Sequence, residues 1–283
     1  MAEHAPNRFF MEQLTPEIWR LSQGVDNIPQ VDSFLVVGPE RALYVDSLQF
    51  KQPVSLVRFV RAITDKPVDV VMTHGHTDHA GLELLEFVKA GFQLHMSHLD
   101  LELGRQMAAH SRGVDPETAE QYAALFSPDV MQDIREGDVF DLGGGVRFEA
   151  LRVSGHTPGS MCFLDREGRR CFTGDAFGEL MNLPTCLNFS TYRDEIKRFE
   201  KAVADIPDTK LYNGHLFLYT PEERVAAHAT YMRELVEMIL SGDYPQEPQK
   251  PTEEDPKSFI FRSSLFASHK SVHRLYYTRD KVC

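Results

Sequence analysis

Four apolar, strand-like runs in this 283-residue chain each end on residues able to bind metal, so a fold for it must bring four strand ends together. The first run, Val68-Asp-Val-Val-Met72, leads into Thr73-His74-Gly-His76-Thr-Asp78-His79, and the apolar residues of Ala80 to Lys89 then recur at helical spacing. This cluster sits on a strand-to-helix loop. If the loop stays extended, alternate side chains point the same way, and His74 and His76 can grip one ion together while Asp78 and His79 face a second. Residues Gly145 to Val153 alternate like a strand and end in Ser154-Gly-His156-Thr-Pro-Gly-Ser160, a turn stiffened by two glycines and a proline. Arg170 to Gly174 delivers Asp175, and Lys210 to Gly214 delivers His215.

Imidazoles and carboxylates are the donors that borderline metals such as zinc accept, and this set suffices for two adjacent ions sharing one bridging carboxylate. A single histidine on a polar loop is ordinarily an exposed surface residue. Here four candidates stand in one loop and three more follow other strands, which favours a binuclear metal centre.

The motifs THGHTDHAG from Thr73, SGHTPGS at 154–160, FTGDAF at 172–177 and NGH at 213–215 resemble those of the metallo-β-lactamase superfamily over roughly residues 17–240. The likeness is strongest to its glyoxalase II-like and acyl-homoserine lactonase branches. The resemblance implies an α/β four-layer αβ/βα sandwich with metals at one edge. Carried over position by position, it puts His74, His76 and His156 on one ion, Asp78, His79 and His215 on the other, and Asp175 between them. It implies two divalent ions, zinc by default, with iron and manganese acceptable to the same donors. The expected activity is attack of a metal-bridged hydroxide on an ester, thioester or lactone carbonyl of a small molecule, with Asp78 and Tyr192 as candidate catalytic residues. Tyr192 enters as an oxyanion donor because related lactonases use a tyrosine near their metals. The alternatives are a mononuclear iron enzyme of the persulfide dioxygenase type, and β-lactam hydrolysis as a side activity. A metal-dependent sensor or scaffold would be expected to lack donors, and none is missing.

Other members of the fold fit less well. Flavodiiron reductases place Glu where this chain has His76, and the usual metal-binding cysteine of secreted β-lactamases is replaced by Asp175. Met1 to Pro16 is polar and contains no export-signal core, so a cytoplasmic location is expected. A net charge of −12 disfavours nucleic acid. No run of about 18 apolar residues offers a membrane span. Cys162, Cys171, Cys186 and Cys283 form no CxxC pair and read as free thiols.

The sequence divides into a metallo-β-lactamase-like domain over 1–243 and a C-terminal extension over 244–283. Strands are expected at Ile18–Ser22, Ser33–Val37 and Ala42–Val45, followed by an amphipathic helix over Val54–Ile63. A helical insertion, about 98–136, shows no strand character and has helix starts at Asp115-Pro-Glu and Ser127-Pro-Asp. Its Met107, Tyr122, Phe126 and Met131, like Met96 just before it, are read as packing residues rather than a pocket lining. Tyr192 to Ala204 is a charged amphipathic helix, and Thr220-Pro-Glu-Glu223 is a capping box opening a long final helix. Beyond a Pro/Glu-rich linker at Tyr244–Pro256, the apolar tail is expected to dock on the core or on a partner subunit, which leaves a homodimer open. The tail does not match the glutathione-binding helical domain of glyoxalase II. His4, His95, His98, His110, His228, His269 and His273 are read as surface or rim residues.

Overall fold

A computed structural model describes residues 8–25, 28–48, 55–111, 113–178, 180–181, 183–215, 224–242, 265–269 and 273–283. Alternation along its strands decides the layering. In β4 (Ala42–Val45), Ala42 and Tyr44 enter one apolar core while Leu43 and Val45 enter another. In β10 (Met161–Asp165), Met161 and Phe163 share that second core while Cys162 and Leu164 enter a third. Strands buried on both faces need a cover on each, so two sheets stack face to face with helices outside. The result is the four-layer α/β sandwich that the motifs imply.

The first sheet opens as an antiparallel meander of β1 (Arg8–Gln13), β2 (Ile18–Val25), β3 (Ile28–Val37) and β4. Three parallel strands follow, β5 (Val68–Val71), β6 (Gln93–Met96) and β7 (Met131–Asp133). Parallel neighbours require crossovers. These contain α1 (Leu56–Ile63), then α2 (Leu84–Lys89), then α3 (Leu101–Ala109) with α4 (Pro116–Ala124), packed on the outer face. The second sheet pairs β8 (Val139–Asp141), β9 (Arg147–Arg152), β10 and β11 (Arg170–Gly174) antiparallel, then adds β13 (Lys210–Asn213) parallel to β11. Its outer face is covered by α5 (Phe189–Val203) and α6 (Val225–Ser241). A small third sheet has the order β12 (Leu180–Met181), β15 (His273–Tyr277), β14 (Leu265–His269), and Leu275 and Tyr277 of β15 enter the third core.

The two large sheets meet through aromatic rings. Phe34 of β3 lies 5.0 Å from Phe172 of β11 and 5.7 Å from Tyr212 of β13, centroid to centroid. This joint holds the strand ends of both halves of the chain at one edge.

Several local expectations need correction. The polar start contains an edge strand, β1, whose single pairing partner leaves half its groups in water. The insertion also contains a strand, the three-residue β7, too short for alternation to show. Asp115 caps α4 by accepting a hydrogen bond from the Thr118 N–H, whereas Ser127-Pro-Asp forms a turn into β7. Helix α5 begins at Phe189, with Asn188 as its cap. Met96, Tyr122, Phe126 and Met131 are buried in the first core, while Met107 is exposed. His228 is 2 % exposed, a core residue rather than a rim one. The Thr220–Glu223 capping box, the linker, His4 and the side chains of His269 and His273 lie outside the described residues. Among the described residues Cys162, Cys171 and Cys186 are buried thiols outside any disulfide, and Cys283 is exposed. Among the described residues no helix is long and apolar enough to cross a membrane.

Candidate metal centre

All seven predicted donors come together at one edge of the sandwich, where β5, β9, β11 and β13 end. They form two trios, linked by a third group of His74, His79 and Asp175. In the first, His74 Nε2 and His156 Nε2 lie 3.1 and 2.9 Å from His76 Nδ1. Hydrogen bonding outside the trio fixes what the inward atoms of two members carry. The Thr73 hydroxyl donates to Asp46, so His74 Nδ1, 3.1 Å away, donates to Thr73 Oγ1. The Thr185 hydroxyl donates to the His156 carbonyl, so His76 Nε2 donates to Thr185 Oγ1. Both rings therefore aim lone pairs at the same point, which repel one another unless a cation lies between them. Nitrogens sharing a tetrahedral zinc would stand about 3.3 Å apart, close to the observed spacing. Burial and the neighbouring imidazoles push His74 well below its ordinary pKa, and mainly burial pushes His76 down to about 3, so both rings are neutral, the form that binds metal.

The second trio is Asp78, His79 and His215. His79 Nε2 and His215 Nε2 each lie 3.7 Å from Asp78 Oδ2. Asp175 stands between the trios, with Oδ2 3.3 Å from His215 Nε2 and 3.7 Å from His156 Nε2, and Oδ1 3.5 Å from His79 Nε2. Both His79 Nε2 and Asp175 Oδ1 are buried without a hydrogen-bond partner. They meet only as an ion pair too long for a good hydrogen bond. Two facing orphans among imidazoles and carboxylates fit a divalent cation. Burial alone would lower the pKa of His79, yet Asp175, Asp78 and Asp46 together outweigh it and hold His79 well above its ordinary value. His215 is likewise raised, to about 9, because Asp175 outweighs burial. Reciprocally, His215 and His79 overcome burial to hold the Asp175 carboxyl well below the usual carboxylate range.

Buried side chains beyond the donors tie the loops together. Asp46, at the end of β4, accepts from the Thr73 N–H at 2.7 Å and from His79 Nδ1 at 2.8 Å, which turns His79 Nε2 towards Asp175. Asn213 donates to the Gly174 carbonyl at 2.8 Å and accepts from the His215 N–H at 2.7 Å, coupling the Asp175 turn to the His215 loop. Gly214 has no room for a side chain, since a Cβ there would lie 2.3 Å from His79 Cε1. Sequence reasoning missed Asp46, Asn213, Thr185 and Asp100. Asp46 did leave a signal: like Asp175, it is a lone carboxylate directly after an apolar run.

Tyr192 does not join the trios. It is fully buried on α5, its ring packs against Gly155, and its hydroxyl donates to the Ala176 carbonyl at 2.9 Å. A cavity of about 850 Å³, lined by residues including Glu40, Asp141 and Arg147, lies by the start of β11, the end away from Asp175, and contains none of the seven donors.

The family model for the metallo-β-lactamase superfamily matches residues 27–215, about two thirds of the chain, spanning every donor. The chain belongs to the metallo-β-lactamase superfamily. Among solved structures, a metallo-β-lactamase family protein from Thermus thermophilus superposes with a TM-score of 0.62 at 19% identity, over 94% of this chain and 100% of its own. A β-lactamase domain protein from Burkholderia ambifaria gives 0.61 at 16% identity over 95% and 94%. At these identities the likeness is one of fold. Among curated proteins, a hydroxyacylglutathione hydrolase of Haemophilus influenzae is 32% identical over 112 residues, 38% of this chain and 48% of its own. An uncharacterised protein of Aquifex aeolicus is 33% identical over 127 residues, 42% and 53% respectively. The chain thus spans about half the length of these curated relatives. Family and donor set together support binding of divalent metal.

Proposed function

We propose that this superfamily member is a binuclear metallohydrolase acting on an ester, thioester or lactone carbonyl of a small molecule. The observation that carries the reading is the pair of donor trios joined at Asp175, with two facing buried atoms, His79 Nε2 and Asp175 Oδ1, that have no hydrogen-bond partner. His74, His76 and His156 would hold one ion and Asp78, His79 and His215 the other, with zinc the default metal. Divalent ions there would lower the pKa of a water towards neutrality and polarise a carbonyl oxygen.

The chain's own residues supply access and orientation. Side-chain exposure rises from 0% at His79 and 2% at His156 to 12% at Asp175, 23% at His215 and 33% at Asp78. Substrate therefore arrives on the Asp78–His215 side. Asp78, ionised because His79 and His215 outweigh its burial, is placed there to accept a hydrogen bond from the attacking water. The likeness to a hydroxyacylglutathione hydrolase supports a thioester among the candidate substrates.

Metal analysis combined with an anaerobic hydrolysis panel of lactones, acyl thioesters and β-lactams tests this. About two ions per chain and oxygen-independent turnover are expected, with both diminished by His76→Ala or Asp175→Ala. One iron per chain and an oxygen requirement would instead fit a dioxygenase of the persulfide type.

A further inference from the structure

The first trio draws its donors from two loops that are distant in sequence: His74 and His76 from one, His156 from the other. One carboxylate touches both loops. Asp100 stands at the start of α3 and is fully buried. Its Oδ2 accepts from the Gly75 N–H at 3.0 Å and from the Thr157 hydroxyl at 2.6 Å, and its Oδ1 accepts from the Gly159 N–H at 2.8 Å. Gly75 lies between the two first-loop ligands, and Thr157 directly follows the third.

Packing matches the hydrogen bonds. A Cβ at Gly75 would lie 3.0 Å from Asp100 Cβ, and one at Gly159 would lie 2.6 Å from Asp100 Cγ, so both loops approach the carboxylate as closely as backbone can. The Gly75, Thr157 and Gly159 groups that donate to Asp100 all lie in loops that feed the first trio. In the second trio Asn213 fixes His215, while Asp46 is shared, holding His79 directly and His74 through Thr73.

We infer that Asp100 is the positioning residue for the first ion: it sets the spacing between the 74–79 loop and the 154–160 loop, and so the convergence of His74, His76 and His156, without touching an ion itself. This rests on the metal-centre reading above and gives that reading an internal asymmetry. Asparagine at this position keeps the shape but turns one acceptor into a donor. Whichever way the amide is placed, its N–H₂ faces at least one backbone N–H, Gly159 on one side or Gly75 on the other. Thr157→Val is milder, because it removes one of the three donors and leaves the carboxylate in place.

The test is cobalt(II) titration of the metal-free full chain, followed by visible absorption and by metal content after gel filtration, with His76→Ala marking the phase that belongs to the first trio. In Asp100→Asn the first-trio phase should weaken by roughly 10- to 100-fold while the second keeps its wild-type affinity. Thr157→Val should shift the same phase in the same direction by less, and it carries the test alone should Asp100→Asn not fold. Wild-type affinity at both trios in the folded variant, or an equal loss at both, overturns the assignment to Asp100. Should the wild-type protein show no phase that His76→Ala abolishes, the metal-centre reading itself fails, a result distinct from either.

Discussion

At the scale of single residues, the two trios prepare for metal in opposite ways. His74 and His76 are already neutral when metal is absent, whereas the carboxylates around His79 and His215 hold protons on those rings, His215 up to about 9. A metal ligand must shed its proton to bind. An ion entering the first trio therefore displaces no proton from His74 or His76 near neutral pH, while one entering the second displaces about two, from His79 and His215. The sign follows from the raised values. Below about pH 9 the apparent affinity of the second trio should drop at least about tenfold for each unit of acidification, because protons compete with the ion for the same nitrogens. His74 and His76 should add little to the response between about pH 6 and 8, since both are held below their ordinary value, His76 down to about 3. Calorimetric metal titrations in two buffers of different ionisation enthalpy read the displaced protons directly. Equal proton release in both binding phases would contradict this division of charge.

Among the secondary-structure elements, the turn after β11 shows what a helix contributes to the site. Tyr192 of α5 hydrogen-bonds the Ala176 carbonyl, one residue beyond Asp175, and its ring fills the space beneath Gly155. Tyr192→Phe keeps the ring and loses one hydrogen bond, so stability should fall by about 1 kcal/mol and turnover on the best panel substrate should stay within a few-fold of wild type. An oxyanion donor would instead cost about 10²- to 10³-fold in kcat, and the two outcomes are far enough apart for one kinetic comparison to decide. The same contrast explains what was legible in the sequence. The donors could be read because each stands in a motif directly after a strand whose alternation is visible, as in Gly145 to Val153 before His156. Asp100 and Asn213 could not be assigned, and Asp46 left only its place after an apolar run, because what they do is bridge segments up to 59 residues apart, and no local pattern encodes a bridge. Strands β1 and β7 escaped for another reason: each lies at a sheet edge, where half-exposed backbone relaxes the demand for alternating apolar side chains.

For the molecule as a whole, the donors come from two halves that are also joined by packing and by hydrogen bonds such as those of Asp100 to Thr157 and Gly159. His74, His76, Asp78 and His79 follow a strand of the first sheet, while His156, Asp175 and His215 follow strands of the second. Bound ions would therefore act as a clamp between sheets, in parallel with the aromatic joint of Phe34, Phe148, Phe172 and Tyr212. Weakening one connection should make the other more visible. Phe172→Ala leaves a cavity in the middle core and should cost about 3–5 kcal/mol. A ligand that binds only the folded state adds about 2.7 kcal/mol at a free concentration 100 times its Kd, for each site filled. Two filled sites would then offset most or all of the cavity's cost. Phe172→Ala should unfold at a much lower temperature after chelation and return to about the midpoint of metal-free wild type when metal is restored, and wild type stripped of metal should likewise melt earlier than the loaded protein. Midpoints indifferent to chelation in both proteins would mean that no ion spans the sheets, and that the packed core alone holds the seven donors where they stand.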